Sequence, residues 1–208
     1  MKSKGCLLII GAGGHGQVAA DIALKMGAWQ NIFFADDHKV NQSVMGIKVL
    51  CTSTDAHYYV DKAEMFVAIG DNKIRASIQN QLKNLGASFP MLIHPNSTIG
   101  FGVEIGEGSI VMPGVVINCN SKLGKGCIVN TGATVDHDNN VGDFVHISPG
   151  ANLAGDVYVD DYTWLGIGSA VVNGIKVTHD CIIGAGAVVL SDIHSTGTYV
   201  GVPARRIK

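Results

Sequence analysis

The chain has 208 residues, of which 15% are charged, 6% aromatic and 27 glycine. So few charges among so many small and aliphatic residues exclude a disordered chain and an ordinary helical bundle, and suit buried strands joined by tight turns. The formal net charge of −2 hides an asymmetry, with 3 basic against 10 acidic residues between 99 and 194, which speaks against nucleic acid as a partner.

In chain order, Met-Lys-Ser-Lys leads into CLLII without the form of a signal peptide, and no apolar run nears the ~18 residues of a membrane span. The expectation is a cytoplasmic protein with no membrane contact. CLLII, GAGGHG and QVAADIALKM, closed by Gly27, read as strand, tight turn and helix. NIFFA is a second strand ending at Asp36 and Asp37, and EMFVAI a third. Asn72 is expected to cap a helix whose apolar stripe is Ile74, Ile78, Leu82 and Leu85. This alternation predicts a small Rossmann-like α/β domain over residues 1–93.

After Thr98 the period becomes six. From Ile99 through Ile117, Val135 and Leu153 to Val189, sixteen aliphatic residues recur at strict six-residue spacing. The fifth slot of each hexad, counted from that aliphatic, is small or β-branched (Ser109, Ser121, Cys127, Thr163), with Asn139 the one discordant residue. One large and one small inward position per hexad describe a short strand and a sharp corner repeated as a solenoid over a second domain, 94–208. The five cysteines, Cys6, Cys51, Cys119, Cys127 and Cys181, are odd in number and never form C-x-x-C, so they are expected to be reduced thiols.

Two constellations could carry chemistry. Gly11-Ala12-Gly13-Gly14-His15-Gly16 satisfies G-x-G-x-x-G, with Asp36 about twenty residues on. Some ninety residues supply about one mononucleotide-binding half, so a single nucleotide is the better ligand than a dinucleotide, its phosphate at the helix start and Asp36 or Asp37 on base or ribose. The hexad Val135-Asp136-His137-Asp138-Asn139-Asn140 breaks the repeat's chemistry, and His137 in its third slot lies outside the two inward positions. Imidazole suits general-base removal of a proton near neutral pH, and Asp138 beside it would raise its basicity. Cys119, eighteen residues earlier, is the alternative for a covalent acyl relay, which direct attack does not need.

The hexads and the ending Gly201-Val202-Pro203-Ala204-Arg205 resemble the hexapeptide-repeat acyltransferases, whose fold is an all-β left-handed parallel β-helix of about 18 residues per coil. With the α/β domain and VDHD, the whole chain resembles the PglD/NeuD family of nucleotide-sugar N-acetyltransferases and sialic acid O-acetyltransferase-like proteins. The resemblance implies an acetyltransferase using acetyl-CoA and no metal, acting on the amino group of a nucleotide-linked (4-)amino-deoxy sugar for surface glycan assembly. O-acetylation of a sialic acid-type sugar is the alternative. By the same resemblance His137 is the base and Asp138 its partner, while His146, Ile167 and Ala185 contact acetyl-CoA, with Ala at 185 where the family has Gly. Gly13, Gly14, His15, Gly16, Asp36, Asp37 and Gly70 map to the sugar-nucleotide contacts. His137 and His146 are nine residues apart, half a coil, so they should lie on different sides of one solenoid and share a thioester only across subunits of a homotrimer. A γ-type carbonic anhydrase, with histidine ligands five apart, and a non-enzymatic scaffold are the competing classes.

Overall fold

A computed structural model of the protein describes residues 4–208, so the leader reading of the first three residues lies outside the described residues. The chain divides into two compact units, one ending at Pro95 and the other beginning at Asn96. Among the described residues no helix is long and apolar enough to cross a membrane.

The first unit is built on strands β1 (Lys4–Ile10), β2 (Trp29–Ala35), β3 (Ser43–Val44), β4 (Ile47–Cys51) and β5 (Glu64–Val67), in the order β3-β4-β2-β1-β5. All pairings are parallel except the β3–β4 hairpin. The continuous run Leu7–Ile10 is fully buried, as a central strand covered on both faces requires. Helix α1 (Gly14–Met26) follows β1 and stops at Gly27, whose left-handed φ of 61° lets its N–H reach the carbonyls of Ala23 and Leu24.

Helix α2 (Asn72–Asn84) corrects two expectations. Its cap is Asp71, whose carboxylate accepts from Ile74 N at 2.9 Å, and Asn72 is already helical. The buried side is Arg75, Ala76, Gln79 and Leu82, while Ile74 and Leu85 are exposed. The helix is rotated because the Arg75 guanidinium turns inward to donate to Ile69 O and Gly70 O at 3.0 and 3.1 Å and to Asn72 Oδ1 at 2.9 Å. Once buried, the guanidinium charge needs these acceptors, and they lie on this side of the helix.

The second unit is the left-handed parallel β-helix that the hexads imply, with the sixth and first slots of each hexad forming a two-residue strand. The first face stacks Thr98–Ile99, Val116–Ile117, Thr134–Val135, Asn152–Leu153, Ala170–Val171 and Val188–Val189. The second runs from Glu104–Ile105 to Lys176–Val177, and the third includes Ile128–Val129, His146–Ile147 and Trp164–Leu165. Pairing is in register at eighteen residues: Ile117 beside Val135, Leu123 beside Val141, Val129 beside Ile147. Fifth-slot residues from Ser109 to Ala187 are all buried, Asn139 among them at 1% exposure.

The corners have their own rule. From Gly102 to Gly186 every fourth-slot residue is left-handed, whether Gly, Asn120, Asp138, Asp156 or Asp180, and even Phe144 and Tyr162. Gly, Asn and Asp enter that region readily; the two aromatics are held there while their rings stack 5.9 Å apart. Gly132 has φ 66° and open space around a Cβ, so Gly132→Ala should lower stability by about 1–2 kcal/mol through backbone strain alone, and Gly132→Asn by less. Chemical denaturation checks this; equal stability of all three proteins would contradict the corner rule.

Candidate active site

In the first unit, three strand ends converge. The parallel register sets Ile10 beside Ala35 and Val67, so the turn after β1, the Asp36-Asp37 pair after β2 and Gly70 after β5 emerge at one edge of the sheet. That edge, where β1 is flanked by strands reached through opposite crossovers, is where open α/β sheets bind ligands. Gly13 and Gly14 are exposed and a Cβ on either would meet nothing within 4 Å, which leaves the turn's backbone and the start of α1 open to an anion. Gly16 has a different reason: a Cβ there would collide with the Gly11 carbonyl, so only glycine lets α1 pack against the turn.

Asp36 braces this turn, its Oδ2 accepting from Ala12 N at 2.9 Å and its Oδ1 from His38 N at 3.0 Å. Partial burial opposes its charge, but these two N–H groups and then Lys39 outweigh it and hold the carboxyl below its usual range. Asp37 Oδ1 accepts from Ser53 N at 2.7 Å, and Asp37 is the more exposed of the pair. His15 Nε2 is buried with no hydrogen-bond partner, and burial first, Arg75 second, push the ring's pKa down to about 4, so it is neutral at neutral pH. Sequence reasoning missed Arg75, which sits at an ordinary helical position and carries no motif.

In the second unit, His137 occupies the corner between the first and second faces. Its N–H donates to Asp136 Oδ1 at 2.9 Å, and that oxygen also accepts from Asn118 Nδ2 at 2.7 Å, one coil earlier. Left-handed Asp138 swings its carboxylate back, so that His137 Nδ1 donates to Oδ2 at 2.8 Å; a carboxylate can only accept, which fixes the proton on Nδ1 and leaves the lone pair on Nε2. Asn120 Nδ2 donates to the other Asp138 oxygen at 3.3 Å. The Asp138 bond first, then the charges of Asp136, Asp138 and Asp156, raise the imidazole's pKa above its ordinary 6.5. Cys119, exposed one coil before, presents its backbone carbonyl to Asp138 N at 3.0 Å.

The His–Asp bond is not unique to this corner. His179 and Asp180 repeat it at 3.2 Å, again with the aspartate left-handed, so the pairing follows from the turn. What distinguishes His137 lies one coil on. Gly155 is its eighteen-residue neighbour, and a Cβ there would stand 2.6 Å from both Cε1 and Nε2 of the ring. The imidazole rests in space that only glycine leaves.

The three residues assigned to acetyl-CoA group elsewhere, on the third face and the corner that leaves it. His146 stacks on Trp164, centroids 5.6 Å apart, and its Nε2 lies 3.3 Å from Asn130 Nδ2. Ile167 and Ala185, one coil apart, are both exposed. One chain therefore does not bring His146 to His137. Trp164 and Asn130 were missed, although Trp164 lies eighteen residues after His146 and coil arithmetic finds it. Among the described residues no group of three or more His, Cys, Asp or Glu side chains could hold a metal ion.

The ring's seat yields a direct test. Gly155→Ala should displace the His137 imidazole, lowering kcat by about 10²-fold, the order expected of a 1 Å misplacement, with little change in melting temperature because a side chain can give way. Wild-type kcat in this variant would remove the significance of the contact.

Comparison with known proteins follows this division. The family model described as the PglD N-terminal domain matches residues 6–82. The acetyltransferase domain of PglB from Neisseria gonorrhoeae superposes with a TM-score of 0.94 at 40% identity, covering 97% of this chain and 99% of that one. PerB from Caulobacter crescentus, solved with CoA and GDP-perosamine, gives a TM-score of 0.90 at 35% identity over 99% of each chain. A curated GDP-perosamine N-acetyltransferase from Escherichia coli is 31% identical over 115 residues, 53% of this chain, and the match spans about half (52%) of that relative's length. Full-length similarity above 30% identity to these structures, on a Rossmann-like unit joined to a hexapeptide β-helix, shows that the chain belongs to the PglD-like family of sugar acetyltransferases.

Proposed function

We propose that the protein transfers acetyl from acetyl-CoA to the amino group of a nucleotide-linked 4-amino-deoxy sugar, with His137 as general base. The observation that carries this reading is the half-exposed imidazole seated over Gly155, its Nδ1 proton committed to Asp138 and its Nε2 lone pair left for an incoming N–H. Related structures solved with GDP-perosamine and CoA, or with acetyl coenzyme A, support the choice of substrates.

In this reading the glycine turn and the N-terminus of α1 take the nucleotide phosphates. Gly13 and Gly14 leave backbone room there, Gly16 lets α1 pack against the turn, His15 presents a neutral ring, and Asp37 and Gly70 line the adjoining strand ends while Asp36 braces the turn from behind. His146, Ile167 and Ala185 take acetyl-CoA along the third face, where exposed Trp164 and Ile182 add apolar surface suited to the carrier's arm. Acetyl-CoA supplies an activated acetyl group and departs as the thiol. The chain's own contribution is proton handling: Nε2 accepts the amine proton as the C–N bond forms, Asp138 stabilises the resulting imidazolium, and the same proton is then available to the leaving sulfur.

We further place the enzyme in the cytoplasm, in polysaccharide biosynthesis, and as a homotrimer whose active sites combine His137 of one chain with His146 of the next. The placement of these residues on different sides of one solenoid supports the shared site.

Two outcomes are expected. His137→Ala should lower kcat by ~10²–10⁴ with the sugar-nucleotide KM unchanged. Because only the neutral imidazole is a base and its pKa is raised, kcat/KM should climb with pH through a midpoint above 6.5, and Asp138→Asn should move that midpoint down. Steady-state kinetics across pH decide this, and full activity of His137→Ala would refute the base. For the assembly, mixing His137→Ala chains with His146→Ala chains, each inactive alone, should restore part of the activity after subunit exchange. No recovery once exchange is demonstrated would reject the shared site.

A further inference from the structure

Asn139 is a polar side chain that departs from the small or β-branched pattern of the fifth slot, buried immediately behind the His137-Asp138 corner. Elsewhere in the solenoid, three of the four buried hydroxyls at this slot, all but Ser169, form a recurring clasp between coils. Ser109 Oγ accepts from Cys127 N, eighteen residues on, and donates to Gly124 O, fifteen residues on, both at 2.9 Å. Ser121 does the same with Asn139 N (3.1 Å) and Asp136 O (2.6 Å), and Thr163 with Cys181 N (3.4 Å) and Thr178 O (3.0 Å).

Asn139 makes this clasp too, its Oδ1 accepting from Val157 N at 3.2 Å and its Nδ2 donating to Ala154 O at 2.9 Å. It then adds what a hydroxyl cannot. A hydroxyl has one hydrogen, used up by the clasp, whereas a carboxamide has two. The second Nδ2 hydrogen donates back into its own corner, to Asp136 O at 2.7 Å, with His137 O at 3.4 Å as a longer acceptor sharing it. The carbonyl of Asp136 is thereby held by two buried donors, Ser121 Oγ and Asn139 Nδ2, and that of His137 by Asp156 N and Asn139 Nδ2. The peptide units on both sides of the imidazole are fixed from inside the solenoid, while Gly155 bounds the ring from the next coil.

The geometry points to Asn139 as a positioning residue for the acetyl transfer: it touches no reacting atom and acts by fixing the backbone from which His137 reaches the amine. This rests on His137 being the base. A base held within a fraction of an ångström of its working position gains orders of magnitude in rate, so a corner that loses one of its inner tethers should lose rate without losing the fold.

Asn139→Thr separates the two roles, because threonine keeps the clasp, as Thr163 shows, and removes the bonds back to the corner. Kinetics are measured with acetyl-CoA and whichever of the GDP-, UDP- or dTDP-linked 4-amino sugars the wild type turns over fastest. Asn139→Thr should retain the wild-type melting temperature within a few degrees, both KM values, and the pH midpoint set by Asp138, while kcat falls about tenfold. Ser109→Ala, which breaks a clasp far from the base, should lower the melting temperature and leave kcat unchanged. Wild-type kcat in Asn139→Thr, or an equal kcat loss in Ser109→Ala, overturns the positioning role. If His137→Ala remains fully active, or if no sugar is turned over, it is the proposed reaction that fails, and the positioning role falls with it.

Discussion

Everything in the second unit depends on one backbone constraint, the left-handed residue in the fourth slot of each hexad. Each such corner turns the chain by one face, three corners close a coil, and the coil length of eighteen residues follows. That period decides which side chains meet. It sets His137 between Cys119 and Gly155, lays His146 against Trp164, and brings Ser109 under Cys127 and Ser121 under Asn139 so that each can clasp the next coil. Buried parallel strands of two residues have little hydrogen bonding of their own to give; regular repetition of the corner lets each one pair on both sides.

A catalytic corner in such a scaffold is an ordinary corner with its surroundings altered. His179-Asp180 has the same turn and the same ring-to-carboxylate bond, but neither a proven seat for the ring nor a carboxamide behind it. At His137 four neighbours have been changed together: Asp136 and Asn118 in front, Asn139 behind, Gly155 above. The raised basicity comes from a bond that the turn supplies anyway, and the orientation comes from the neighbours. A similar division holds in the first unit, where Asp36 holds Ala12 of the turn with one carboxylate oxygen and His38 of its own loop with the other, and leaves the exposed glycines to face a ligand.

The sequence carried the architecture because two periodicities are written into it. Sixteen aliphatic residues at six-residue spacing admit no helix or ordinary sheet, and GAGGHG between an apolar run and an amphipathic one admits little besides a strand-turn-helix. The VDHD corner was legible as a break in pattern. Three things were not. The left-handed slot is masked by Phe144 and Tyr162, whose types disfavour it. The buried face of α2 does not show in its apolar stripe because Arg75 reads as a surface residue until its acceptors Ile69 O, Gly70 O and Asn72 Oδ1 are seen, and the cap position is ambiguous by one residue because Asp71 and Asn72 are both good caps. The part played by Gly155 needs the coil length as well as the sequence, since a glycine eighteen residues from a histidine means nothing until the two are stacked.

The central claim is that a neutral imidazole at this corner takes the proton from a sugar nitrogen as that nitrogen is acetylated by acetyl-CoA on a nucleotide-linked sugar. The most direct measurement is mass spectrometry of the product formed from acetyl-CoA and a nucleotide-linked 4-amino sugar, before and after alkaline hydroxylamine, which cleaves acetyl esters and spares acetyl amides. The account predicts one acetyl group per sugar, stable to hydroxylamine and formed at least ~10²-fold more slowly with His137→Ala. An acetyl group removed by hydroxylamine, or one that still forms at the full rate without the imidazole, would contradict it.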